Sequence, residues 1–120
     1  MLIVDAALKK IIMQAMADDC SLAILRGTTE RACSAMEIIH QCALPPSSVY
    51  RRISEFVDAG LLAVERMVIT KDGKKFSLYR STVRDIRAEY KSGEFELNIS
   101  LNENVVSKLT RLWSSMRVEK

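Results

Sequence analysis

Apolar positions along the chain change period twice, and the changes divide it into elements. Leu8, Ile11, Ile12, Ala15 and Met16 recur at helical spacing and predict a first helix over roughly residues 4–17. Asp18-Asp19 then starts a short helix over "CSLAILR", with Gly27 placed to end it. Ser34 and Glu37 form an S-x-x-E capping box, which opens a helix whose inner side carries Ala35, Ile38, Ile39 and Cys42. "ALPP" must end that helix, because proline cannot continue it and restrains the residue before it. Pro46 can occupy the first turn of a further helix, predicted to run to Ala59 with Gly60 as its stop.

Beyond Gly60 the period falls to two. "LLAVERMVITKDGKKFSLYRS" predicts two strands around a two-residue turn at Asp72-Gly73. That turn sets Ile69 opposite Phe76 and Met67 opposite Leu78, making one face consistently apolar. A second hairpin, "IRAEYKSGEFELNI", turns at Ser92-Gly93 and pairs Tyr90 with Phe95, Ala88 with Leu97 and Ile86 with Ile99. The chain closes on "NENVVSKLTRLWSSMR", an amphipathic helix with Val105, Leu109, Leu112 and Met116 on one stripe and Trp113 beside it. The expected class is α+β.

On a helical wheel of residues 46–59, Val49, Ile53, Phe56 and Val57 form the core side. Ser47, Arg51 and Ser54 lie opposite, flanked by Ser48, Tyr50 and Glu55. Small polar residues let a helix approach base edges closely, and an arginine fork matches the major-groove acceptors of guanine. An ordinary solvated helix face would also carry serines and an arginine. Charge adds to the picture. The net charge is only +3, but residues 64–80 alone hold five cations against two carboxylates. Lys71, Lys74 and Lys75 surround the first hairpin turn, where flexible ammonium groups suit phosphate contact.

This order of elements resembles the winged helix-turn-helix family, in particular the arsenic-repressor-like (ArsR-like) regulators and their archaeal relatives. The matching residues are "SAMEI", "LPPSSVYRRI", "EFVDAGLL" and "KKFSLYR", within roughly residues 17–81. The resemblance implies a winged domain over residues 1–82 and double-stranded DNA as partner. The second helix would enter the major groove and the hairpin wing would lie on the adjacent backbone. Ser47, Ser48, Tyr50 and Arg51 then fall where bases are read, with Ser54 on the same face and Arg52 nearer the phosphates. Residues 83–120, the second hairpin and terminal helix, extend beyond the minimal family domain. They imply a homodimer, with Val105, Leu109, Leu112, Trp113 and Met116 at its seam and Leu8, Ile11, Ile12 and Ala15 supplying a second stripe. The family usually has glycine where this chain has Ala43.

Metal-sensing relatives use a close cysteine pair at the start of the first motif helix, where this chain reads "CSAMEI". Cys33, His40 and Cys42 are the right ligand types, but Cys42 falls on the inward face and is expected to pack as a small hydrophobe. No metal or cofactor is expected. One histidine, no glycine-rich phosphate loop, no H-E-x-x-H and no nucleophile elbow argue against an enzyme. Three cysteines without a signal-peptide pattern and no membrane-length apolar run predict a cytoplasmic setting without a membrane partner. The leading expectation is thus a sequence-specific DNA-binding transcription regulator. A winged-helix module that binds protein within a transcription or chromatin assembly is one alternative. An effector- or metal-responsive sensor is the other.

Overall fold

The computed structural model describes residues 1–105 of the chain. Four helices precede four long strands, with one two-residue strand between the second and third helices. Helix α1 (Ala6–Met16) begins at Asp5, whose carboxylate accepts the Ala7 amide at 2.9 Å. Helix α2 (Asp19–Thr29) begins at Asp18, which accepts both the Ser21 amide (2.8 Å) and the Ser21 hydroxyl (2.6 Å). Each cap satisfies an amide that has no partner within its helix. Gly27 does not stop α2. The helix runs on because Thr28 is fully buried, and because the hydroxyls of Thr28 and Thr29 donate to the Ile24 and Leu25 carbonyls.

Strand β1 (Cys33–Ser34) leads directly into α3 (Ala35–Cys42). The capping box is complete: the Glu37 amide donates to Ser34 Oγ at 3.2 Å, and the Ser34 amide to Glu37 Oε1 at 3.1 Å. The turn to α4 (Pro46–Ala59) is made by Ala43 in the left-handed region, at φ 53° and ψ 36°. At the far end of α4, Gly60 takes φ 85°, and the Leu61 amide closes back on the Phe56 carbonyl at 2.8 Å. Both ends of α4 therefore lie where proline and glycine are expected to put them.

Strands β2 (Leu62–Ile69) and β3 (Lys75–Ser81) join β1 in an antiparallel sheet of order β1-β3-β2. Their register is one residue off the sequence expectation: Val68 pairs with Phe76, Ile69 with Lys75 and Arg66 with Leu78. The turn holds three residues, Lys71 to Gly73, closed by the Thr70 amide on the Lys74 carbonyl (2.8 Å) and the Gly73 amide on the Thr70 carbonyl (3.0 Å). A two-residue turn of the expected type needs positive φ at both Asp72 and Gly73; only Gly73, at 85°, has it. The Thr70 hydroxyl settles the choice by donating to the Asp72 carboxylate and accepting the Lys74 amide. Since one residue of slip reverses every side chain, Met67 and Ile69 share a face with Ser77 and Lys75, opposite the face of Val68 and Phe76. A bulge between Val64 and Arg66 shifts the register again.

The second hairpin, β4 (Val83–Lys91) and β5 (Glu94–Leu101), has the expected register, with Tyr90 on Phe95, Ala88 on Leu97 and Ile86 on Ile99. Here both turn residues do take positive φ, Ser92 at 54° and Gly93 at 85°. The chain's first residues run beside β5: the Ile3 amide donates to the Leu97 carbonyl at 2.8 Å, and Leu2 bridges to Asn98.

One apolar core joins these parts, from Ile12 (α1), Ile24 (α2) and Ile38 (α3) through Val49, Ile53 and Phe56 (α4) to Leu62, Val83, Leu97 and Ile99. Ile12 and Ala15, two members of the stripe expected at a dimer seam, are buried in this core, while Leu8 and Ile11 remain half-buried. Of the expected terminal helix only its start is described: residues 103–105 are helical and Val105 is buried. Leu109, Leu112, Trp113 and Met116 lie outside the described residues. No helix among the described residues is long and apolar enough to cross a membrane.

The turn before α4 carries a measurable strain. An L-residue in the left-handed region costs roughly 1–2 kcal/mol, and glycine avoids this at some entropic cost in the unfolded chain. Ala43→Gly should therefore stabilise the fold by about 1 kcal/mol. Urea denaturation should show a higher midpoint at constant slope; a lower midpoint would contradict the left-handed turn.

Candidate nucleic-acid interface

The amphipathic face of α4 separates as its sequence requires. Val49, Ile53 and Phe56 are buried, whereas Ser47, Tyr50, Arg51 and Ser54 are exposed and Ser48 is half-exposed. Across a groove from them stands the first hairpin, with Lys71, Lys74 and Lys75 all exposed. Tyr50 from α4 and Lys75 from β3 line the same groove, so the helix face and the hairpin border one surface.

The ion pairs divide the cations into two groups. Arg31, Arg52, Arg80 and Arg84 are bound to Glu37, Asp18, Glu65 and Glu30 respectively. Among the described residues, Arg51, Lys71, Lys74 and Lys75 make no ion pair. The same holds for Lys9, Lys10, Arg26, Arg66, Arg87 and Lys91; what sets the first four apart is their place on the outer face of α4 and on the facing hairpin.

Arg52 sits differently from its expected place near phosphates. Its Nη1 lies 2.5 Å from Asp18 Oδ2 and 3.1 Å from Ser21 Oγ, and its Nε is buried without a partner. One residue is a 100° turn of a helix, enough to swing position 52 from the outer face to the start of α2. The Asp18 carboxyl is held below its ordinary range, first by the Ser21 hydroxyl, then by the Ser21 amide and the Arg52 charge, with burial opposing. Arg52 thus locks α4 to the cap of α2.

The groove holds about 470 Å³ between the start of α3, the outer face of α4 and the β2–β3 hairpin. Met36, Tyr50, Met67 and Phe76 line it and are 40–58% exposed. Met36 has no place in the sequence expectation. Its signal is a large apolar residue on the solvent side of an otherwise amphipathic helix. Met67 and Phe76 are expected on one face of the hairpin, and the one-residue slip separates them.

The tip of the second hairpin carries mainly the other sign. Glu89 and Glu96 stand directly opposed across β4 and β5, and Glu94 joins them near the turn. Like charges in direct opposition weaken a strand pair, and Lys91, paired across the strands with Glu94, offsets part of that charge.

The thiols face inward. Cys33 is fully buried, donates to the Gly27 carbonyl at 3.2 Å and has its pKa raised chiefly by burial. Burial first, then its contact with Cys20, pushes Cys42 up to about 12. Both are therefore neutral thiols at neutral pH, whereas the metal ligand is the thiolate. His40 is exposed, and no three His, Cys, Asp or Glu side chains converge among the described residues.

These positions give Arg52 and Arg51 separable roles. Arg52→Ala should lower folding stability by about 1 kcal/mol, since it removes a partly exposed ion pair and strands part of the α2 cap. The salt dependence of duplex binding should stay as in the parent. A lower salt slope with unchanged stability would instead put Arg52 on a phosphate.

No protein-family model matches this chain, and no curated protein sequence matches it.

Proposed function

We propose that the chain is a sequence-specific DNA-binding transcription regulator of winged helix-turn-helix type, in which α3 and α4 form the helix-turn-helix and β2–β3 the wing. The observation that carries this reading is the meeting of two features at one groove. The outer face of α4 presents small polar side chains around the unpaired Arg51, and the facing hairpin presents the unpaired Lys71, Lys74 and Lys75. Arg52, Arg80 and Arg84 are held in ion pairs, whereas Lys71, Lys74 and Lys75 stand exposed on the hairpin at this surface.

The roles follow from the chemistry of the side chains. Arg51 reads a base through its bidentate fork, Ser47, Ser48 and Ser54 admit close approach, and Tyr50 offers a ring to a base edge. The wing lysines contact phosphates, which fixes position without reading sequence. The order β1-β3-β2, with the wing strands paired back onto the short strand before α3, agrees with this arrangement. One short helix reads few base pairs. The proposed protein is therefore a homodimer on a near-palindromic site, joined through residues 104–116 and the half-buried Leu8 and Ile11 of α1, with half-sites about one helical turn apart.

Two substitutions separate reading from positioning. Arg51→Ala should cost about 1–3 kcal/mol on a selected site and relax preference at one position per half-site, with folding unchanged. Replacing Lys71, Lys74 and Lys75 by alanine should weaken selected and random duplexes alike, lowering the salt slope by roughly one unit for each phosphate no longer neutralised. Mobility shifts over a salt series measure both. A chain that binds no duplex at low salt would refute the reading.

A further inference from the structure

Apolar side chains exposed singly are routine on protein surfaces, but a cluster around one concavity marks an interaction site. Three large exposed apolar side chains, Met36, Tyr50 and Met67, cluster in the groove between α3, α4 and the wing, and Phe76 borders it from the other face of the hairpin. Polar tips from Ser34, Ser77 and Tyr79 add to the wall, and among the described residues Lys75 supplies its one charge. No carboxylate among the described residues lines it.

Two considerations identify the occupant. The groove is cationic at Lys75, and the unpaired Lys71 and Lys74 stand at the tip of the hairpin that forms its wall, so an anionic partner fits. It also lies between the two elements that, on the DNA reading, straddle a duplex. With α4 in the major groove and the wing on the adjacent backbone, the strand between them has to pass here. That strand is not polar throughout. The thymine 5-methyl group projects into the major groove as an apolar contact, and deoxyribose carbons line the path between phosphates.

We propose that this groove seats one strand of a DNA duplex, with Met36 and Tyr50 packed on the 5-methyl group of a thymine. The inference rests on the DNA-binding reading and adds a base preference to it: each half-site contains a thymine recognised by its methyl group rather than by hydrogen bonds. Met67 takes the adjoining sugar, and Lys75, on the same hairpin face, its phosphate. Specificity at this position is then insensitive to salt, because no counterion is released when a methyl group is buried.

The test removes the methyl group alone. Duplexes bound by the full chain are selected from a random pool, and each thymine in the selected half-site is replaced in turn by uracil. The expected result is a loss of about three- to fivefold in affinity at one or two adjacent positions, the size of burying one methyl group. The Met36→Ser, Tyr50→Ser double variant should bind the thymine and uracil duplexes equally at that position while keeping the salt slope of the parent. Both side chains are exposed, so the variant folds, and Tyr50→Phe should retain the discrimination.

Sequence-specific binding with no response to uracil anywhere overturns this inference and leaves the DNA reading standing. So does a double variant that still discriminates, the result expected were the groove to hold a peptide or a small ligand. A chain that binds no duplex at low salt overturns both.

Discussion

The amide side chain of Asn102, fully buried, is the junction on which the rest of the structure hangs. Its Nδ2 donates to the Thr29 carbonyl at the end of α2 (2.8 Å) and to the Ser81 carbonyl at the end of β3 (3.1 Å), while its Oδ1 accepts from Arg84 at 3.2 Å. Its backbone amide donates to the Thr82 carbonyl at 2.7 Å. Thr82 in turn bonds the Gly60 carbonyl through its hydroxyl (2.6 Å) and the Leu61 carbonyl through its amide (2.9 Å), reaching the end of α4. A buried amide without partners costs about 1–3 kcal/mol. With all of them in place, it fixes the base from which α4 and the wing project. The spacing between helix and hairpin, on which any reading of a duplex depends, is therefore set where α4 and β3 end.

The same base consumes cations that would otherwise blur the electrostatic pattern. Arg80 donates to the Thr29 and Glu30 carbonyls at 3.1 and 3.0 Å and pairs with Glu65. It satisfies carbonyls that the end of α2 leaves free, a role basic side chains commonly take. Arg84 joins Asn102 and Glu30 in the same region. Arg51, Lys71, Lys74 and Lys75 remain unpaired on the groove side, while Glu89, Glu94 and Glu96 stand with Lys91 near the tip of the second hairpin. A small net charge is thus unevenly spread. Such a distribution orients a polyanion before contact and raises the rate of productive encounter.

Features governed by neighbours in the chain are legible in the sequence. The Ser34–Glu37 capping box, Pro46 in the first turn of α4, Gly60 at its end and the Ser92-Gly93 turn are each decided by a few adjacent residues. Local chemistry also explains the one turn whose length departs from expectation. Asp72-Gly73 permits two hairpin types, and the Thr70 hydroxyl selects the longer. What the sequence does not reveal is nonlocal. The pairing of the first residues with β5, the capture of Arg52 by Asp18 and the convergence on Asn102 all join residues far apart in the chain. Within the proposed interface, Arg51 and the lysines are legible as charged residues on a polar face. The apolar floor is not, since Met36, Tyr50 and Met67 belong to three elements and meet only when the chain folds.

The central claim is that the outer face of α4 and the wing form the surface that meets DNA. Backbone amide chemical shifts of the isotope-labelled chain, followed while a short duplex is added at low salt, test it most directly. The account predicts shifts concentrated in residues 47–54 and 70–76, reversed by raising the salt. Shifts confined to residues 83–101 would contradict it, as would none at all.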